Sequence, residues 1–153
     1  MNSILNFVLL GMFGGQEIIV LFIMFFAIAA IFIPLIFYLI TLKNTFNEIS
    51  SENQKMKPSQ VWLTLIPFFG IVWQFIIVNK MANSLKLEFT KRNIKIEEDR
   101  PGISIGMTYC ILSCCSIVPY LGVLTSIGAL VCWIIYWVKI NGYKIKLQET
   151  RIL

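Results

Sequence analysis

The chain has 153 residues, 58% of them hydrophobic, with thirteen Lys and Arg against eight Asp and Glu, a formal net charge of +5 and no His. A soluble domain carries about 45 to 50% apolar residues, so this balance excludes an ordinary soluble fold and points to a single small membrane domain. Without His there is no His-assisted nucleophile, His metal site or His proton relay, and the basic residues flank apolar runs and mingle with Glu97, Glu98 and Asp99, which sets nucleic acid aside and leaves anionic lipid headgroups as their partner.

Met1 to Gly15 is apolar but broken by Gly11, Gly14 and Gly15, and it is short for a span; it is expected to lie at, or dip into, the interface. Ile18 to Leu42 follows as 25 uncharged residues, about 37 Å as a helix, and is the unambiguous transmembrane helix. Glu17 precedes it and Lys43 follows, a bias that places its C-terminal end in the cytoplasm. The first basic residue is Lys43, whereas a cleavable signal opens on a basic stretch, so this span is expected to be retained.

A polar connector, Thr45 to Gln60, leads to Val61 to Val78, interrupted at Ile66-Pro67-Phe68-Phe69-Gly70. Pro67 cannot donate to a helix and Gly70 tolerates left-handed dihedrals, so a turn or sharp kink is predicted there. The helix then continues to Thr90 with Met81, Ala82, Leu85 and Phe89 on one face and Lys80, Asn83, Ser84, Thr90 and Lys91 on the other, an amphipathic extension suited to headgroups or a partner. After a charged loop, Ile103 to Val118 and Val123 to Val138 read as a helical hairpin joined at Pro119-Tyr120-Leu121-Gly122, and Lys139 to Leu153 as a second basic amphipathic tail.

The two turns, Ile66-Pro67-Phe68-Phe69-Gly70 and Val118-Pro119-Tyr120-Leu121-Gly122, resemble each other, which suggests an internal duplication. The basic residues bear on topology. All thirteen fall in Lys43 to Lys57, Lys80 to Arg100 and Lys139 to Arg151. Four simple passes would set the first stretch opposite the other two, ten residues against three, whereas a re-entrant Val61 to Val78 brings all thirteen to the cytoplasmic face. Trp62 and Trp73 stand on either side of Pro67, and a hairpin would bring both near the headgroups; a Pro-kinked span is the competing reading.

Gly102, Gly106, Cys110 and Cys114 recur every four residues, and Gly122, Thr125, Ser126 and Ala129 give a similar surface on the next helix; such ridges let helices pack closely. Folding the hairpin sets Cys110 level with Cys132. A thiol pair or Cys metal site is the sharper reading there, and small residues in a packed interface the favoured one. Trp133, Tyr136 and Trp137 read as an aromatic belt, with an aromatic ligand cage as the alternative. Gln74, Thr108, Ser113 and Ser116 are the remaining polar groups of the apolar layer.

The I-P-x-x-G turn, the Trp133/Trp137 pair and the tail Lys139-Ile140-Asn141-Gly142-Tyr143-Lys144 resemble a group of small bacterial membrane proteins of unknown function with P-x-x-G turns between short helices, over Met56 to Lys144. The resemblance implies the bacterial inner membrane and supplies no catalytic residue. The expected fold is all-α and membrane-embedded: one long span, a re-entrant or Pro-kinked helix and a closing transmembrane hairpin, three to four spans in all. The expected function is a non-enzymatic structural or interaction component without cofactor or metal, assembling with itself or a membrane partner through its small-residue faces. A small oligomeric channel or carrier lined by Gln74, Thr108, Ser113 and Ser116 is the alternative.

Overall fold

A computed structural model describes residues 15–118, 120 and 122–152. The interfacial segment expected before Gly15, together with Pro119 and Leu121 of the second turn, lies outside the described residues. Among those described, the chain is wholly helical: α1 (Gly15–Glu48), a 3-10 helix (Pro58–Leu65), α2 (Phe69–Lys91), α3 (Ile103–Cys115) and α4 (Gly122–Ile152). Two of these helices, Gln16–Glu48 and Gly122–Thr150, are long and apolar enough to cross a membrane.

The chain divides into two units at Phe37/Tyr38, inside α1. In the first, the helix is charged only at Glu17 and exposes apolar side chains all round, Phe25 at 67% and Ile31 at 69% among them. The second unit holds the packed core. Its stretch of α1 buries Tyr38, Leu39, Leu42, Thr45 and Phe46, with Ile49 buried just past its end, a three-four spacing that keeps one helical face inward. Against it lie Ile77, Val78, Met81, Ala82, Leu85 and Phe89 of α2 and Tyr136, Ile140, Tyr143 and Leu147 of α4, all buried.

α1 runs to Glu48, six residues beyond the predicted end of its apolar run, because Leu42, Phe46 and Ile49 continue the buried stripe through the polar sequence. Likewise α4 is continuous through the predicted tail, since Tyr136, Ile140, Tyr143 and Leu147 form one inward row across its boundary. The predicted helix from Ile103 to Val118 ends at Cys115. Ser116, Ile117 and Val118 instead form the turn, with Ile117 N donating to Cys114 O at 3.3 Å and Val118 N to Cys115 O at 3.1 Å.

Val61 to Val78 is not one kinked helix. The chain reverses at Pro67, and the 3-10 helix lies back along α2: Trp73 Nε1 donates to Gln60 O at 2.8 Å. The tight step is a γ-turn, Phe69 N donating to Pro67 O at 2.7 Å around Phe68, whose φ is 62° and ψ −48°. That conformation is strained for any L side chain. Gly70 tolerates a positive φ but does not take one; among the described residues Gly102 is the glycine that does so. Gly70 serves close approach instead: a Cβ there would stand 2.0 Å from Thr64 O. The second turn repeats the device at an offset of 52 residues, with Tyr120 at φ 73° and a Cβ on Gly122 falling 2.8 Å from Ser116 O. Phe68/Tyr120, Gly70/Gly122 and Thr64/Ser116 are equivalent pairs, so the similarity read from two pentapeptides extends to backbone geometry.

Candidate functional site

α2 and α3 run antiparallel. Gly106 of α3 sits beside Val78 of α2, where an added Cβ would meet Val78 Cγ1 at 2.6 Å and Tyr136 Cε2 at 2.9 Å. Nearer the turns, Gly70 and Gln74 face Tyr109, Cys110 and Ser113 across a cavity of about 220 Å3. This register sets both turns at one end of the second unit. Its wall contains Thr64, Ile66, Pro67, Phe68 and Ile71 from the first hairpin and the three α3 side chains from the second, so the cavity lies between the two repeats.

The cavity is mostly apolar, and two of the residues around it hold enclosed polar atoms with incomplete bonding. Gln74, 4% exposed, donates through Nε2 to the Tyr38 hydroxyl, while its Oε1 has no partner among the described residues. Thr64 Oγ1, also buried, has none either. A buried amide oxygen left without a donor costs about 1 to 3 kcal/mol. Of the four residues expected to line a pore, Gln74 and Ser113 reach the cavity. Thr108 and Ser116 turn back on their own helix, bonding Ser104 O at 3.0 Å and Ser113 O at 2.7 Å.

The small-residue positions lie as follows. Gly102, Gly106 and Cys110 are buried and Cys114 half-buried; Gly102 and Gly106 receive the Tyr136 ring. On α4, Ala129 is buried, Gly122 and Thr125 are half-buried and Ser126 is exposed, bonding back to Val123 O. All four cysteines are free thiols, and among the described residues no three of His, Cys, Asp and Glu are grouped to hold a metal.

Each aromatic site also has defined neighbours. Trp73 stacks on Phe69 with centroids 5.2 Å apart. Trp62 is half-buried in the 3-10 helix. Trp133 and Trp137 pack on Tyr38 at 5.4 and 6.2 Å, and Trp137 Nε1 donates to Thr41 Oγ1 at 2.9 Å.

A second cluster occupies the end of the unit opposite the turns. Glu88 is fully buried and accepts from Ser50 N at 3.1 Å, Ser50 Oγ at 2.9 Å, Asn53 Nδ2 at 2.7 Å and Arg92 Nε at 2.8 Å. Burial acts to raise its carboxyl pKa, but the bonds from Asn53, Arg92 and Ser50 prevail and hold it below the ordinary carboxylate range. Arg92 then reaches Leu147 O at 2.7 Å and Glu48 O at 2.9 Å, tying α1, α2 and α4 together. Ser84, assigned by the sequence to the polar face, is buried and accepts from Lys55 N at 2.9 Å. Beside this cluster, Glu98 pairs with Lys139 and accepts from Gly102 N at 2.7 Å at the start of α3. The Lys139 hydrogen bond leads the effects that lower its pKa.

Sequence reasoning missed Glu88 as an organising group. The signal was available: Met81, Leu85, Glu88 and Arg92 follow a three-four spacing, so the carboxylate belongs to the apolar face rather than to a solvated tail. The arrangement therefore comprises a charged tie at one end and an apolar-rimmed cavity with unpaired polar atoms near the other. Comparison with protein-family models, curated proteins and solved structures finds no match to this chain.

Proposed function

We propose that the chain is a non-enzymatic integral membrane protein of the bacterial inner membrane, a structural or interaction component held with its basic loops and C-terminal end on the cytoplasmic side. One observation carries the reading: in the second unit both turns lie at one end, presenting Phe68 at 88% and Tyr120 at 104% exposure, while α2 and α4 become charged only from Lys80 and Lys139 onward. The uncharged start of α2, residues 69–79, is about 16 Å long. The 13 residues of α3 measure about 20 Å. Both fall short of the ~30 Å hydrocarbon core, which supports hairpins that enter from the charged side. The first is then re-entrant, its backbone covered by α3 as a turn at depth requires. Both hairpins turn at one level, and α1 is the complete span.

The Gly102/Gly106 part of the ridge is filled by Val78 and Tyr136 of the same chain, so assembly with a partner falls to the uncharged exposed part of α1. A channel or carrier is the second reading, favoured by the cavity that Gln74 and Ser113 share. Carbonate extraction of membranes followed by flux assays in reconstituted vesicles tests both. The component reading expects retention in the bilayer and no solute flux; release by carbonate would refute membrane integration, and saturable flux would install the carrier.

A further inference from the structure

We infer that Lys43, Lys57, Lys80 and Arg100 form a belt at one level of the second unit that selects the phosphate groups of anionic phospholipids. The inference rests on the membrane reading and deepens it by naming the lipid class and the residues that choose it. Hydrogen bonds fix the level. Gln74 of α2 bonds the Tyr38 hydroxyl of α1, and farther on Ser50, just past α1, bonds Glu88 of α2, so the two helices run parallel. Lys43 lies five residues beyond Tyr38 and Lys80 six beyond Gln74, a mismatch of about 1.5 Å. Lys57 falls between two contacts of its own segment with α2, Gln60 O with Trp73 Nε1 on one side and Lys55 N with Ser84 Oγ on the other. Arg100 donates to Asn79 Oδ1 at 3.3 Å and to Asn83 Oδ1 at 2.6 Å, which bracket Lys80.

Two properties of that level point to a lipid phosphate. It is where apolar sequence ends: Lys43 and Lys80 are the first charged residues after uncharged runs, and Lys57 and Arg100 the last before such runs. The four cations are also left without carboxylate partners. Among the described residues the ion pairs are Lys86 with Asp99, Lys91 with Glu52, Arg92 with Glu88 and Lys139 with Glu98. Lys139, two residues beyond a Trp137 that bonds Thr41, shares the level but is neutralised by Glu98. Lys57, Lys80 and Arg100 are exposed and Lys43 half-buried, and the amides that hold Arg100 orient its guanidinium without cancelling its charge. Phosphatidylcholine balances its phosphate with its own ammonium group. Phosphatidylglycerol does not, and its phosphate supplies the charge that these residues lack.

The test uses the full chain in phosphatidylcholine vesicles at low salt, with dibrominated phosphatidylglycerol or dibrominated phosphatidylcholine as quencher of tryptophan fluorescence. Trp73 and Trp137, seven residues before Lys80 and two before Lys139, report lipid in contact with the unit. The expected result is a relative affinity about fivefold in favour of phosphatidylglycerol, the effect of one cation meeting one anionic headgroup. Lys57→Gln, Lys80→Gln and Arg100→Gln combined should bring the ratio close to one. Lys95→Gln, Lys144→Gln and Lys146→Gln combined remove the same charge away from that level and should leave it unchanged. An equal fall in both variants would overturn the belt in favour of net charge, and a ratio of one in the unaltered chain would overturn lipid selection outright. Should the first variant fail to fold, Lys57→Gln with Lys80→Gln decides the matter by a partial fall. Glycerol 3-phosphate in the buffer should not relieve the quenching; relief would overturn the lipid source in favour of a soluble anion. Failure of the membrane reading shows separately, as a chain that does not float with the vesicles.

Discussion

Replacing Glu88 by Ala removes the acceptor of four hydrogen bonds, from Ser50 N, Ser50 Oγ, Asn53 Nδ2 and Arg92 Nε. It also leaves the Arg92 guanidinium, whose side chain is 19% exposed, without its counter-charge. Breaking a buried ion pair from one side costs about 3 to 5 kcal/mol. Arg92 keeps its bonds to Leu147 O and Glu48 O, which compensates part of the lost pairing and sets the expectation near the lower bound, about 3 kcal/mol. That is roughly a hundredfold in the folding constant. Glu88→Gln retains an oxygen for Asn53 or Ser50 but loses the charge, and should cost about half as much. Equilibrium unfolding of the purified chain by a denaturing detergent, titrated against a mild one, reads both. The pH dependence has a fixed sign: because the folded carboxyl lies below its ordinary value of 4.5, its contribution is fully present above that value and disappears as pH falls through the lowered one. A loss under about 1 kcal/mol for Glu88→Ala, comparable to an exposed pair, would refute the claim that this carboxylate organises the charged end.

Gly106→Val should destabilise by about 1 to 3 kcal/mol through overpacking, because a Cβ already meets Val78 Cγ1 at 2.6 Å; the same unfolding titration measures it, and a neutral result would mean that α3 can shift freely. Gly70→Ala and Gly122→Ala should both be destabilising, Gly70→Ala the more so, since the intruding methyl would lie 2.0 Å from Thr64 O against 2.8 Å from Ser116 O. Phe68→Gly should instead stabilise by about 1 kcal/mol, by releasing a strained positive φ at a side chain that packs little; a loss in the unfolding assay would show that the aromatic ring contributes more than the strain costs.

Helical class, the approximate elements and the position of the first turn were legible because uncharged runs and prolines report on backbone directly. What the residues did at those places was less so. Pro67 announced a turn, but the positive φ fell on Phe68 and the glycine was required for the approach of Thr64 O, a contact between residues six apart that composition does not encode. Glu88 was assigned to neither helix face, although its spacing from Met81 and Leu85 sets it on the buried one. The cavity was half legible: Gln74 and Ser113 were singled out as polar groups in an apolar layer, and they meet only because α2 and α3 run antiparallel. Thr64 carried no signal of its own, since its place depends on the 3-10 helix folding back on α2.

The central claim is that the three basic stretches share the cytoplasmic face, with the first hairpin turning back inside the bilayer. In a background with Cys110, Cys114, Cys115 and Cys132 replaced by Ala, single Ser51→Cys, Lys95→Cys and Glu149→Cys substitutions occupy exposed positions in those stretches. A membrane-impermeant maleimide should leave all three unlabelled in intact cells and label all three in inverted vesicles. Labelling of Ser51→Cys in intact cells, with Lys95→Cys protected, would mean that Val61 to Val78 crosses the membrane, and would contradict the account.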